Sequence, residues 1–322
     1  MSEYEIRRQL FNILSKNNPN NIKEYDISIP DYRITKKIIE EIKGKENFRQ
    51  KDELFHDDGK WYLIRKATLD LSSLCDNMNN NQYNAITQCN IIFSECNISL
   101  NDKQSENNRI FKTKLYFYNC TFEKTLNLKN IIFEKTLTFN QCKFKRKIRM
   151  YSNIFSSHLV FRDCYDKQSK KITSLDLQEN EFKGYFFIKN CAIEKINLWK
   201  NKFKNRCYFV DSKFGYKDKD NTTKLNFSNT HFEDNAYFNN SEFYSYADFH
   251  ECEFDNIACF YGVRFEKAAN FSACYFKEQK AANLINVDID KLDFKSVEKY
   301  IEDNYEDESY KNETKEIQDE KE

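Results

Sequence analysis

The sequence predicts an all-β solenoid: a right-handed, quadrilateral parallel β-helix over residues 86–280, with short α-helical caps at its N- and C-terminal ends. Three observations predict it. Large apolar residues recur at intervals that alternate between five and six, as in Phe227, Phe232, Phe238, Phe243, Phe249, Phe254, Phe260, Phe265, Phe271 and Phe276. A smaller side chain stands two residues before each of them (Leu225, Thr230, Ala236, Ser241, Ala247, Cys252, Ala258, Val263, Ala269, Cys274). Residues two apart on an extended backbone face the same way, so each pair points inward together. The composition agrees, since 29 Phe and 20 Tyr stand beside only 5 Gly and 2 Pro. Volume for a core is abundant, and the corners must be turned by residues such as Asn and Asp.

From the N-terminus, residues 1–60 form a helical cap region. Ile6, Leu10, Ile13 and Leu14 share one face of a helix over Tyr4 to Lys16, and Ile34, Ile38, Ile39 and Ile42 repeat the pattern. Residues 61–85, with Leu69 and Leu71 alternating, read as an irregular first coil. The frame then runs through Phe117, Phe122, Leu128, Phe133, Phe139, Phe144, Met150, Phe155 and Phe161, and resumes through Leu177, Phe182, Ile188, Ile193, Leu198, Phe203, Phe209 and Phe214. One interval of six shortens to five, between Ile193 and Leu198. Polar stretches at 167–173 and 215–222 read as loops bulging from a continuous stack. Cys120, Cys142 and Cys164 recur at 22 residues, not 11, and so do Phe117, Phe139 and Phe161. A coil is therefore about 22 residues with four faces, and seven or eight coils at about 4.8 Å each make a rod about 35 Å long. Residues 281–322 hold a short cap helix (Ile289, Leu292, Val297, Tyr300, Ile301) and an acidic tail in which disorder is expected.

Lys plus Arg and Asp plus Glu are equal at 51 each. The balance is uneven along the chain: residues 287–322 carry 14 acidic and 6 basic residues, net −8, which leaves +8 for the remainder. The N-terminus carries charges where a secretory signal needs an apolar run, and no stretch approaches a membrane span, so a cytoplasmic location is expected. Eleven Cys in such a chain read as reduced thiols rather than a disulfide framework. The Lys-, Asn- and Ile-rich composition points to an AT-rich genome and a bacterial source.

The frame of small residue, spacer, Phe or Leu and two polar residues resembles the pentapeptide repeat family, in a degenerate variant that interleaves fives with sixes. The segment 247–276, ADFHECEFDNIACFYGVRFEKAANFSACYF, carries the resemblance most fully. The resemblance implies a right-handed quadrilateral β-helix and no single activity. Some family members mimic duplex DNA and protect DNA gyrase, a topoisomerase, from inhibitors. That requires an acidic solenoid, and here the solenoid lies in the basic part of the chain.

The remaining functional candidates are surfaces. Outward Tyr237, Tyr244, Tyr246 and Tyr275 are candidate anchors for a protein partner, although outward Tyr can also merely stack coil on coil. Lys143, Lys145, Arg146, Lys147 and Arg149, with Arg162, Lys170 and Lys171, could gather into a patch for nucleic acid, with Tyr151 and Tyr165 available for stacking. A solvated solenoid surface accounts for the same charges. Stacked Cys120, Cys142 and Cys164 lack the short-paired spacing of zinc ligands and read as core, while Cys259, beside Phe260, reads as the outward, reactive thiol. Four scattered His, with His250 beside Glu251 and Asp248 as the densest group, make no catalytic motif. The expectation is a non-catalytic scaffold without cofactor or metal, binding an unidentified protein, with a homodimer through a solenoid end as a further possibility.

Overall fold

The structure is a computed structural model that describes residues 3–18, 20–23, 27–28, 60–72, 89–101, 109–165, 172–215, 223–277, 282–283 and 292–293. Short strands stack in parallel on four sides, giving the quadrilateral β-helix. Face 1 is the longest, with ten parallel strands from Lys60–Arg65 to Ala282–Asn283. Face 3 runs from Leu126–Lys129 to Leu292–Asp293 and face 4 from Arg109–Phe111 to Tyr275–Phe276. Face 2 is two four-stranded stacks, Thr68–Asp70 to Lys143–Phe144 and Ala192–Ile193 to Arg264–Phe265, interrupted at the coil that contains residues 166–171.

The register on face 1 measures the coil directly. Leu115 pairs with Leu137 and Leu137 with Leu159, two steps of 22. Leu159 to Phe186 is 27, Phe186 to Cys207 is 21, and Cys207 to Ala236 is 29. The long steps span the stretches where loops were expected, most of which lie outside the described residues, and the short one contains the shortened interval. The stack exceeds the seven or eight coils expected. Lys60–Arg65 and Thr68–Asp70 pair in register with Cys89–Ser94 and Asn97–Ser99, and here Ile64, Leu69 and Ile98 stand where later coils carry Phe. Nine steps at about 4.8 Å give a face about 43 Å long.

The alternation of five and six has a backbone cause. Each interval of five on the corners from face 1 to 2 and from face 3 to 4 contains one residue with positive φ, such as Asn119, Gln141, Asn190, Asp211 and Asn240, or Asn130, Ser152, Glu179, Asn229 and Glu251. A left-handed residue turns the chain in one step, whereas the other two corners take an additional residue. Asn or Asp supplies seven of the fifteen non-glycine positions, and Lys66, Glu95, Gln141, Ser152, Glu179, Lys200, Glu251 and Ala273 the others.

This turn aims the carbonyl of the preceding large residue inward, where it needs a donor. The small residue one coil on supplies it. Cys120, Cys142 and Cys164 donate Sγ–H to the carbonyls of Phe93, Phe117 and Phe139 at 3.2, 3.4 and 3.4 Å. At the opposite corner Asn153, Asn180 and Asn201 donate Nδ2–H to Leu128, Met150 and Leu177 at 3.1, 2.9 and 2.7 Å. Thr230 and Ser241 do the same with hydroxyls. Between these corners the Phe rings stack in columns, for example Phe155, Phe182 and Phe203 at centroid distances of 5.0 and 4.6 Å.

At the N-terminal end, the helix Glu3–Asn17 buries Ile6, Leu10, Ile13 and Leu14 as expected. Asn18 then donates to the carbonyl of Asp70 and accepts its N–H. Ile27–Ser28 pairs antiparallel with Leu63 and Ile64 and covers the edge of face 1. The helix expected at 34–42 lies outside the described residues. Of the segment expected to form the C-terminal helix, Leu292–Asp293 is instead a strand parallel to Ala269–Asn270, its backbone in register with the last coil of face 3. The rest of that segment lies outside the described residues.

Candidate functional site: the outer faces of the solenoid

The basic run at 143–149 crosses three parts of one coil. Lys143 stands on face 2, Lys145, Arg146 and Lys147 turn the corner to face 3, and Arg149 points outward from face 3, all exposed. Lys145 is paired with Glu123 at 2.8 Å. Arg162 does not join this corner. It lies on the outer side of face 1 above Asn140, nearly buried, with Nε 3.4 Å from Asp163, and burial lowers its pKa. A cleft of about 540 Å³ brings Arg162 and Lys143 together with Tyr165 and Lys189, but also with Asp163 and Asp211, so its charge is mixed. A second cleft of about 700 Å³, beside the interruption of face 2, is lined by Lys143, Lys145, Tyr165 and Ile172. Lys170 and Lys171 lie outside the described residues.

The four Tyr separate. Tyr237 is buried on face 1, its ring stacked on Tyr208 at 5.1 Å and its hydroxyl accepting from Asn235. Tyr244 is buried on face 2 and donates to Glu242 at 2.5 Å, so partial burial and the carboxylate both raise its pKa. Tyr246 is half-buried, and Tyr275 is exposed at 57% on face 4. Face 1 thus carries an apolar layer on its outer side as well, comprising Val160, Phe187, Tyr208, Tyr237 and Cys259. The outward thiol expected at Cys259 does point away from the core, but at 2% exposure it is sealed in this layer.

Groups capable of chemistry are engaged elsewhere. Burial holds the thiols of Cys142, Cys207 and Cys252 above their usual pKa, so they remain protonated. Among the described residues no group of three or more His, Cys, Asp or Glu is placed to hold a metal ion. His56 lies outside the described residues. His158 accepts the N–H of Tyr185 on Nδ1 at 2.8 Å and stacks on its ring at 4.9 Å; burial, then the charge of Lys114, pushes its pKa down to about 4. His231 bonds to Asp255 at 3.0 Å. His250 sits between Ser272 and Glu251 in an arrangement that superficially resembles a hydrolytic triad. Its Nδ1, however, is 3.0 Å from the Ser272 carbonyl as well as 2.9 Å from Oγ, and the Ser272 N–H is donated to Asn270. Nδ1 is thus shared between that carbonyl and the hydroxyl, and the nearest backbone donor is spent.

Face 3 holds a feature that a linear reading misses. Its outward column is Asn127, Arg149, Asp176, Asn197, Asn226, Asp248 and Asn270. Asn197 donates to Asp176 at 3.0 Å, Asn226 to Asn197 at 2.9 Å and Asn270 to Asp248 at 2.9 Å. Oδ1 of these side chains also accepts the N–H two residues on: Asn197 from Trp199, Asn226 from Ser228, Asp248 from His250 and Asn270 from Ser272. The recurrence of Asn or Asp one residue after the small position is the sequence signal that could have found it.

No helix among the described residues is long and apolar enough to cross a membrane. Comparison with curated proteins finds no match, and neither does comparison with solved structures. Residues 227–275 match the family described as pentapeptide repeats, with nine copies. These are the residues whose stacked fives and sixes are most regular. The same corner geometry continues through the earlier coils, so the repeats identified at residues 227–275 belong to a stack that extends well beyond them.

Proposed function

We propose that this protein is a non-catalytic scaffold that binds another protein along a rigid outer face of its solenoid. The observation that carries this reading is the outward column of face 4. Ile110, Ile132 and Ile154 pair in register and remain partly exposed, so three β-branched apolar side chains stand about 4.8 Å apart on a flat surface. The column continues through Glu181, Lys202, His231 and Glu253 to exposed Tyr275. A partner lying along this face meets an apolar row at one end, ion-paired residues in the middle and an aromatic anchor at the other end. The engagement of His158, His231 and His250 in structural bonds supports a role without catalysis, as does the similarity of residues 227–275 to pentapeptide repeats.

The test is affinity capture with the full chain at high salt, comparing wild type with Ile132→Asp and Tyr275→Ala. A partner retained at high salt and lost with Ile132→Asp is the expected result. Capture that is indifferent to both substitutions would overturn face 4 as the contact surface.

A further inference from the structure

The corner between faces 2 and 3 collects basic residues from distant parts of the chain. Leu126 N–H is donated to the Lys147 carbonyl, Ile148 N–H to that of Ser174, and Leu175 N–H to that of Lys195, so Lys147, Ser174 and Lys195 form one column along the solenoid axis. Lys124, Arg146, Lys147, Arg149 and Lys195 are exposed and make no ion pair with the described residues. On the far side of face 3 a second column holds Tyr151, Gln178 and Trp199: Ser152 N–H is donated to the Gln178 carbonyl and Glu179 N–H to that of Trp199. Tyr151 and Trp199 are half-buried and present part of their rings.

Across the face, one coil therefore reads Lys147, Arg149, Tyr151 and the coil two steps on reads Lys195, Asn197, Trp199. Cation, polar residue and aromatic ring repeat about 9.6 Å apart. The intervening carboxylate, Asp176, does not present a bare negative charge. It accepts from Gln178 at 2.6 Å, from Asn197 at 3.0 Å and from the Tyr151 hydroxyl. Lys200 Nζ lies 4.2 Å from the Trp199 ring centroid, which places a further cation at the aromatic edge.

We propose that face 3 binds single-stranded nucleic acid, with the phosphate backbone along the Lys147–Lys195 corner and bases laid across the face onto Tyr151 and Trp199. A cationic track beside stacking rings is the arrangement that holds single strands without reading sequence. A duplex would present only phosphates and could not use the rings. This surface is distinct from face 4, so its failure leaves the protein-scaffold reading untouched, and the reverse holds too.

The test is fluorescence anisotropy of a labelled oligothymidine with the full chain. Binding should weaken about 50-fold from 50 to 200 mM salt if about four phosphates are contacted. The triple variant Lys147→Ala, Arg149→Ala, Lys195→Ala should flatten that salt dependence. Trp199→Ala should weaken binding about tenfold and leave the salt slope unchanged. These side chains are outward, so an unaltered circular dichroism spectrum confirms folding. No anisotropy change at 50 mM salt would overturn the proposal. Tighter binding of a duplex, or equal loss from changing Lys112, Lys183 and Lys204 on face 4, would do the same by showing that charge alone is recognised.

Discussion

The corner residues show how a solenoid with five glycines is built. A non-glycine residue in the left-handed region costs about 1–2 kcal/mol, less for Asn and Asp, and the described coils repeat that cost at fifteen positions. Ala273, with φ of 56°, has no polar group to compensate. Ala273→Gly should raise stability by about 0.5–1 kcal/mol in urea denaturation. Ala269→Gly, in an extended strand, should lower it by a similar amount. The small residue after each corner matters through its donor. Asn180 accepts from the Asn153 N–H at 3.0 Å and donates to the Met150 carbonyl at 2.9 Å, in a site almost without water. Asn180→Ala leaves both groups buried and unpaired and should cost about 2–4 kcal/mol, read as a lower urea midpoint. The exchange of Cys, Asn, Ser and Thr at these positions follows from this shared task, since each can donate to the same carbonyl.

At the scale of the element, a strand of two or three residues is too short to persist alone, and its stability comes from the column to which it belongs. Phe182 lies between Phe155 and Phe203 with interplanar angles of 3° and 8°. Phe182→Ala should cost about 3–5 kcal/mol, while Phe182→Leu, which refills most of the volume, should cost far less. Gly184 reveals a second constraint, on a corner without a left-handed residue. A Cβ there would stand 2.5 Å from the carbonyl carbon and oxygen of Ser157, so backbone must move. Gly184→Ala is expected to destabilise by about 1–3 kcal/mol, measured by the same denaturation. Face 2 shows what a lengthened coil does: where the register step grows from 22 to 27 residues, that face divides into two stacks while face 1 continues with Leu159 on Phe186.

At the scale of the whole molecule, each coil touches only its neighbours, so stability is close to a sum of coils and interfaces and damage to one interface divides the rod. His158 couples such an interface to pH, because it accepts a backbone N–H from the following coil. Its folded pKa of about 4 lies below the ordinary 6.5. The neutral ring therefore contributes stability that is complete above pH 6.5, declines as the unfolded chain takes up a proton, and is lost by about pH 4. The difference is on the order of 2–3 kcal/mol. Urea midpoints between pH 7 and 4 should fall more steeply for wild type than for His158→Gln, and parallel profiles would show that the ring does not carry this dependence.

The periodic inward frame, the 22-residue coil and the apolar face of the first helix were all legible in the sequence, because each follows from local alternation that a short-range pattern preserves. The run from Lys143 to Arg149 was equally visible. What the sequence could not show is which residues share a column on the outside. Arg162 follows Arg149 by 13 positions yet belongs to face 1, whereas Lys195 and Trp199 follow Lys147 and Tyr151 by 48 and join them on face 3. Nor could it show that Tyr237 and Cys259 would be buried while pointing outward. Period determines which side chains face in. Loop lengths and the single shortened interval, summed over coils, determine which face the outward ones reach, and only the stacked structure performs that sum.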